Sequence, residues 1–227
     1  MPTTVLTNHG LVLVGKDLIA ILIEEGFTVT RAEFGGEITN DEINRISGLG
    51  KESDFIVGLG GGKTSDTAKA VGNQLNIPIA IIPTTASTDA PCSALSVIYS
   101  PSGEFERYWF FDVNPDIVLV DTGVIARAPP RFLAAGIGDA FATNIEAKLC
   151  RTSLNCVGGL QTEVAAAIGN KCEEILLKYG KQAYEANKAQ AVTPAFEAVV
   201  EANTLMSGLG FESGGVAAAH SVRNRAR

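Results

Sequence analysis

The chain has 227 residues and a formal net charge of −7; 46% of its residues are hydrophobic, 19% are charged and 24 are glycine. That is enough apolar material for one large domain or two modest ones, and it is unlike a disordered or fibrous chain. The acidic balance with no basic block excludes gripping a nucleic-acid backbone; no apolar run reaches the length of a membrane span and the opening lacks an export signal, so a cytoplasmic protein is expected.

In chain order, "LVLV" (11–14) is expected as a buried strand and residues 17–25 as a short helix ending at Gly26. "FTVTRAEF" (27–34) reads as a strand, and "TNDEINRISGLG" as a helix with Thr39 or Asn40 at its N-cap. "DFIVGLG" (54–60), a helix over 63–75 and "IPIAIIP" (77–83) continue the alternation, which at this spacing predicts a parallel sheet with crossover helices. "ALSVIY" and "ERYWFF", joined by "SPSGE", predict a hairpin, and "DIVLVD" (116–121) one more strand.

From residue 122 the pattern turns helical. Leu133, Ile137, Phe141, Ile145 and Leu149 fall every fourth residue and are expected to form one apolar face, with further helices over 160–178, 181–190, 194–206 and 214–223. The fold class expected is α/β: an N-terminal parallel-sheet nucleotide-binding domain over 1–125, followed by an all-helical, incomplete C-terminal domain over 126–227.

The stretch that carries chemistry is "GLGGGKTSDTAKA" (58–70), between a strand and a helix. The P-loop pattern fails because Val57 stands where it needs a glycine, and the G-x-G-x-x-G fingerprint fails because its third glycine would be Lys63. The physics of anion binding holds without either template. Glycines let the backbone come close, the helix start offers unpaired N–H groups and a positive dipole end, and Lys63 and Thr64 add a charge and a hydroxyl. A glycine-rich turn with no ligand is the competing reading. The next loop, "PTTASTDAPCSALSVIY" (83–99), carries hydroxyls at Thr84, Thr85, Ser87, Thr88, Ser93 and Ser96, suited to a sugar, pyrophosphate or carboxamide; Asp89, its one acid, taken alone reads better as a turn cap. Cys92, Cys150, Cys156 and Cys172 form no C-x-x-C pair and read as buried thiols of a reducing compartment. With His9 and His220 the only histidines, a histidine-rich metal site is excluded.

Together "GLGGGKTSDTAKA", "IIPTTASTDAPCSALSVIY", "GEFERY", "IVLVDTGVIARAPPRFLAAGIGDAFAT" and "ANTLMSGLGFESGGVAAAH" resemble the glycerol dehydrogenase branch of the iron- and zinc-dependent polyol dehydrogenases, in order, from about residue 33 to residue 224. The resemblance implies an NAD-binding α/β domain and a metal-holding helical domain acting on a small polyol. Carried over residue by residue, it implies that Gly62, Lys63, Thr64 and Asp66 lie along the pyrophosphate with Thr84, Thr85 and Ser87 beside it. Ser93, Leu95 and Tyr99 would hold the nicotinamide half, Asp89 would bind the substrate hydroxyls, and Asp139 and His220 would ligate a divalent metal, zinc by preference.

The same resemblance marks departures. The family's chains are longer and place a second histidine ligand beyond His220, so the metal site is expected to be incomplete, with Glu212 the nearest further candidate in sequence. The family's opening strand is expected to be missing, its first acid being matched only by Asp17. Three functions are carried forward: the diol dehydrogenase, a non-enzymatic relative that keeps a nucleotide pocket or an oligomerisation surface, and a metal-assisted lyase of the dehydroquinate synthase kind, which "STDAPCSALSVIY" disfavours. A homo-oligomer is expected, because uncovered apolar helix faces seek partners.

Overall fold

The computed structural model describes residues 2–7, 12–154 and 158–215. It runs β1 (Pro2–Thr7), α1 (Val12–Glu24), β2 (Thr28–Glu33), α2 (Asn40–Leu49), β3 (Phe55–Gly60), α3 (Gly62–Leu75), β4 (Ile79–Pro83), β5 (Leu95–Tyr99), β6 (Phe105–Phe110) and β7 (Ile117–Val118). The helices α4 (Thr122–Ala126), α5 (Pro130–Leu149), α6 (Glu163–Lys188) and α7 (Pro194–Glu201) follow, then a π-helical turn (Ala202–Met206) and α8 (Ser207–Gly214). The chain divides into two compact units: Met1–Thr84 with Ala94–Val120, and Thr85–Ser93 with Asp121–Arg227. The loop 85–93 thus goes with the helices, not with the N-terminal domain that the sequence leads one to expect.

In the first unit, five parallel strands lie in the order β2-β1-β3-β4-β7, and β5 pairs with β6 as an antiparallel hairpin. The start of the chain corrects two expectations. Residues 12–14 of the expected strand are helical, belonging to α1, and the opening strand expected to be missing is present as β1, paired in parallel with both β2 and β3. A short continuous apolar run fits a buried strand or a helix alike, and periodicity does not separate them. Here "TTV" of β1 takes the interior place between β2 and β3, and the longer apolar run forms the crossover. β7 is also shorter than expected. At its start the Asp116 carboxylate accepts the Ile79 N–H at 2.8 Å, replacing a rung of the ladder with a side chain.

The core of this unit is aliphatic: Ile38, Ile43, Ile46, Ile56, Val71, Ile81 and Ile98 pack together. Helix α2 starts where its sequence predicts, with Thr39 Oγ1 accepting the Glu42 N–H at 3.1 Å. Burial pushes the Glu42 carboxyl up, but the Arg45 hydrogen bond, the Gly35 N–H and the Arg45 charge outweigh it and hold the group below the ordinary glutamate range.

The second unit packs Ile125, Leu133, Ala140, Cys172, Leu176, Phe196 and Val199 into its own core. Helix α5 departs from its expected apolar face. Leu133 is buried, but Ile145 is 43% and Leu149 74% exposed, while the buried positions are Leu133, Gly136, Ala140, Thr143, Asn144, Glu146 and Ala147. A strict four-residue repeat drifts about 40° per step on a helix of 3.6 residues per turn, so after four steps it has reached the opposite side. Helix α6 joins the two helices expected over 160–178 and 181–190, running through Gly180 without a break. The helix expected over 194–206 continues to Gly214, and most of the one expected over 214–223 lies outside the described residues. Among the described residues no helix is long and apolar enough to cross a membrane.

Candidate functional site

β1 and β3 are neighbours, while the chain leaves β1 for β2 on one side and passes from β3 to β4 on the other. That reversal of strand order is where open parallel sheets bind ligands, at the carboxyl ends of the strands. The glycine loop sits there, directly after β3.

Gly61 is the N-cap of α3, extended at φ −84°, ψ −171°, and no side chain caps the helix. Among the described residues, the opening N–H groups of this 14-residue helix have no capping side chain as acceptor. Thr64 is 1% exposed, and its Oγ1 has no hydrogen-bond partner among the described residues. It packs against Gly60, where an added Cβ would come within 2.6 Å of Thr64 Oγ1, so glycine alone allows the threonine to sit under the loop. The Thr84 N–H donates to Gly60 O at 2.9 Å, bringing the end of β4 beside this point. Lys63 Nζ lies 2.6 Å from Glu37 Oε2 and 5.6 Å from the centroid of the Tyr99 ring.

Gly62, Lys63, Thr64 and Thr84 thus come together around the start of α3, with Tyr99 beside Lys63. Asp66 faces elsewhere. Its Oδ1 is 2.9 Å from Lys69 Nζ, its Oδ2 accepts the Val97 N–H at 3.1 Å, and its carbonyl accepts from Ser96 Oγ at 2.7 Å. Lys69 is fully buried and also donates to the Leu95 carbonyl at 2.5 Å. These two side chains fasten β5 to α3. The family resemblance implies Asp66 as a phosphate-side residue and passes over Lys69 and Glu37; the i, i+3 spacing of Asp66 and Lys69 on α3 is the one signal the sequence offers.

The second cluster belongs to the helical unit and is built on the loop Thr85–Ser93. Asn203, in the π-helical turn and 1% exposed, donates to the carbonyls of Ala86 at 3.0 Å and Leu133 at 3.4 Å. Cys92 Sγ donates to Thr204 O at 2.9 Å, and Ser207 Oγ donates to Asp89 Oδ2 at 2.7 Å. An added Cβ at Gly136 would collide with Ala86 O and lie 2.5 Å from Asn203 Nδ2, so close approach of α5 to the loop requires glycine there. Thr85 Oγ1 and Ser87 Oγ are 3.2 Å apart, and Ser93 Oγ donates to Ala90 O at 3.4 Å. A π turn widens the helix by one residue and turns Asn203 and Thr204 toward the loop; such turns recur at functional sites. Neither Asn203 nor Ser207 stands out in the sequence, since nothing local marks them.

Asp139 is half-buried on α5 and Glu212 half-buried on α8. His220 and His9 lie outside the described residues. Among the described residues no group of three or more His, Cys, Asp or Glu could hold a metal ion, so Asp139 and Glu212 complete no ligand set there. The donor set at α3 is different. An uncapped helix start, an orphaned buried hydroxyl and a lysine on one turn fit a pyrophosphate. Of the cysteines, Cys92 and Cys172 are buried as expected, Cys150 is half-buried, and Cys156 lies outside the described residues. Burial pushes the Cys172 thiol up to about 12, helped by the nearby Asp89 and Glu173 carboxylates.

The model of the iron-containing alcohol dehydrogenase family matches residues 3–122. A glycerol dehydrogenase of Thermotoga maritima is 54% identical over 217 residues, covering 93% of this chain and 60% of that protein. A glycerol dehydrogenase of Escherichia coli is 52% identical over 205 residues, covering 88% of this chain and 56% of that protein. The crystal structure of glycerol dehydrogenase from Schizosaccharomyces pombe superposes with a TM-score of 0.93 at 43% identity, over 98% of this chain and 58% of that one. The chain therefore spans about 60% of the length of the first of these relatives and slightly less of the others. With the sheet order, the glycine loop and these matches in agreement, the chain belongs to the iron-containing alcohol dehydrogenase family.

Proposed function

We propose that this chain takes part in the NAD-dependent oxidation of glycerol, or a similar small vicinal diol, to the corresponding hydroxyketone. The observation that carries the reading is the α3 start, where unpaired N–H groups, the orphaned Thr64 hydroxyl and the Lys63 ammonium together suit a pyrophosphate. The glycerol dehydrogenases it resembles support the substrate class. In this reading Gly62, Lys63 and Thr64 hold the pyrophosphate. Thr84, Thr85 and Ser87 are assigned beside it, and Ser93, Leu95 and Tyr99 to the nicotinamide half. Asp66 acts one step removed, by fixing β5.

Bound NAD supplies the hydride acceptor, glycerol losing a hydride from its central carbon and a proton from its hydroxyl to become dihydroxyacetone. Asp89 accepts hydrogen bonds from the diol and, being anionic, disfavours phosphorylated sugars. Asp139 and His220 are the proposed ligands of a divalent metal, zinc in this reading, whose chemistry is to polarise the alcohol oxygen. Self-association belongs to the same proposal. Leu149, Val164 and Leu177 are each 70% exposed or more, and large apolar side chains in that number favour a covered face.

The test is reduction of NAD by glycerol, with and without added zinc, beside NAD titrations of Lys63→Ala and Thr84→Ala. Each substitution should weaken NAD binding by about 1–2 kcal/mol, the worth of one hydrogen bond, charge-assisted for the lysine. Unchanged titration curves for both would remove the site from α3. NAD binding without turnover, whatever metal is added, would favour the pocket-only relative. A clean monomer at micromolar concentration on a sizing column would rule out self-association.

A further inference from the structure

The cation at the α3 start is already matched by an anion. Glu37 lies in the segment between β2 and α2, and its two carboxylate oxygens have separate duties: Oε1 accepts the Ile38 N–H at 3.1 Å, and Oε2 meets Lys63 Nζ at 2.6 Å. The backbone bond anchors the carboxylate, so it is a fixed negative charge rather than a side chain that swings clear when a ligand arrives. Lys63 Nζ also lies over the Tyr99 ring, 5.6 Å from its centroid. Beside the remaining ammonium protons of Lys63, the other donors there, the opening N–H groups of α3 and the buried Thr64 hydroxyl, are neutral. The formal charge of the Lys63–Glu37 pair is zero, and the positive character left over is the helix's own, about half a unit charge.

A site so balanced discriminates by ligand charge. A diester pyrophosphate, esterified at both ends as in a dinucleotide, carries a single negative charge on each phosphorus. A nucleotide ending in a free phosphate carries about −1.5 to −2 on that terminal group. The additional charge meets no additional cation and is repelled by the fixed Glu37 carboxylate. We infer that Glu37 is a specificity residue of the α3 site, selecting a diester pyrophosphate over a nucleotide that ends in a free phosphate. The inference rests on the pyrophosphate reading of the site and adds to it the sign and source of the selection.

The probe pair is ADP-ribose and ADP, which share adenosine and both phosphorus atoms and differ in whether the outer phosphate is esterified. Dissociation constants for both are measured by calorimetric titration on the wild-type chain and on Glu37→Gln, which keeps an acceptor for the Ile38 N–H and removes the charge. A thermal melt of the variant establishes that it is folded. The wild type should prefer ADP-ribose, and Glu37→Gln should raise ADP affinity more than ADP-ribose affinity, narrowing the ratio at least roughly fivefold, the effect of one unit charge at about 4 Å screened as in water. Contacts made by the extra ribose cancel in that double difference. Equal weakening of both ligands would mean that Glu37 only steadies the Lys63 side chain, and would overturn the inference while leaving the site intact. A ratio unchanged in a variant that still binds both would overturn it as well. If the wild type bound neither probe, the pyrophosphate reading itself would fall, and the inference with it.

Discussion

Ser207 donates its hydroxyl to Oδ2 of Asp89 at 2.7 Å, joining residues 118 positions apart in the chain. Asp89 is the residue proposed to receive the diol, and Ser207 follows directly on the π-helical turn whose Asn203 and Thr204 hold the same loop. A carboxylate on a loop has several rotamers; a fixed donor on a helix selects among them.

Ser207→Ala should therefore loosen Asp89 without touching the α3 site. In the proposed reaction the KM for glycerol should rise about fivefold, equivalent to one hydrogen bond, with the dissociation constant for NAD unchanged. Steady-state kinetics with glycerol and NAD varied in turn separate the two. Loss of NAD affinity in this variant would contradict the assignment of Ser207 to Asp89.

Lys69 is fully buried with Asp66 as its ionic partner. Lys69→Met leaves the Asp66 carboxylate in the interior with its cation gone, which should cost about 3–5 kcal/mol. Adding Asp66→Leu should recover part of the loss by removing the stranded charge, since removing both members of a buried pair costs less than breaking it. Urea denaturation of the single and double variants measures both steps. A double variant less stable than Lys69→Met would show that the Asp66 bonds to β5 matter more than the ion pair.

Cys172, with its thiol pushed up to about 12, has almost no thiolate near neutral pH. Half-buried Cys150 should alkylate with iodoacetamide well before Cys172 or Cys92. Peptide mapping over a time course at about pH 8, just below the ordinary thiol value, gives the order. Early labelling of Cys172 would indicate that the second unit's core opens readily.

Glu42 predicts a pH dependence of stability. Its folded-state pKa is lowered, so its contribution is fully present above the ordinary glutamate range and is lost as pH falls through the lowered value. Glu42→Gln should destabilise the chain by about 0.5–1 kcal/mol near neutrality, discounted for the solvent-screened Arg45 partner. The gap to wild type should close on acidification below about pH 4. Urea midpoints across that range test the sign; a gap that widened on acidification would reverse it.

What the amino-acid order determined by itself was whatever is local in space as well as in sequence. The β3–loop–α3 unit is contiguous, and so are its glycines, Lys63 and Thr64, so both the fold class and the glycine-rich, uncapped start of α3 are legible in the linear sequence. Thr39 is legible as a cap for the same reason, its partner being three residues away. The α1 segment misleads because a short apolar run carries no period that separates helix from strand, and β1 already fills the place between β2 and β3. The α5 face misleads by arithmetic, a four-residue repeat drifting around a 3.6-residue helix. Only tertiary structure could decide the rest. Lys63 and Glu37 are 26 residues apart, and Asn203 and Ala86 117, and nothing in a linear spacing marks either pair. The loop 85–93 follows a sheet strand in sequence yet is counted with the helices, because buried carbonyls and carboxylates go where donors can satisfy them, and those donors stand on the π-helical turn and the start of α8.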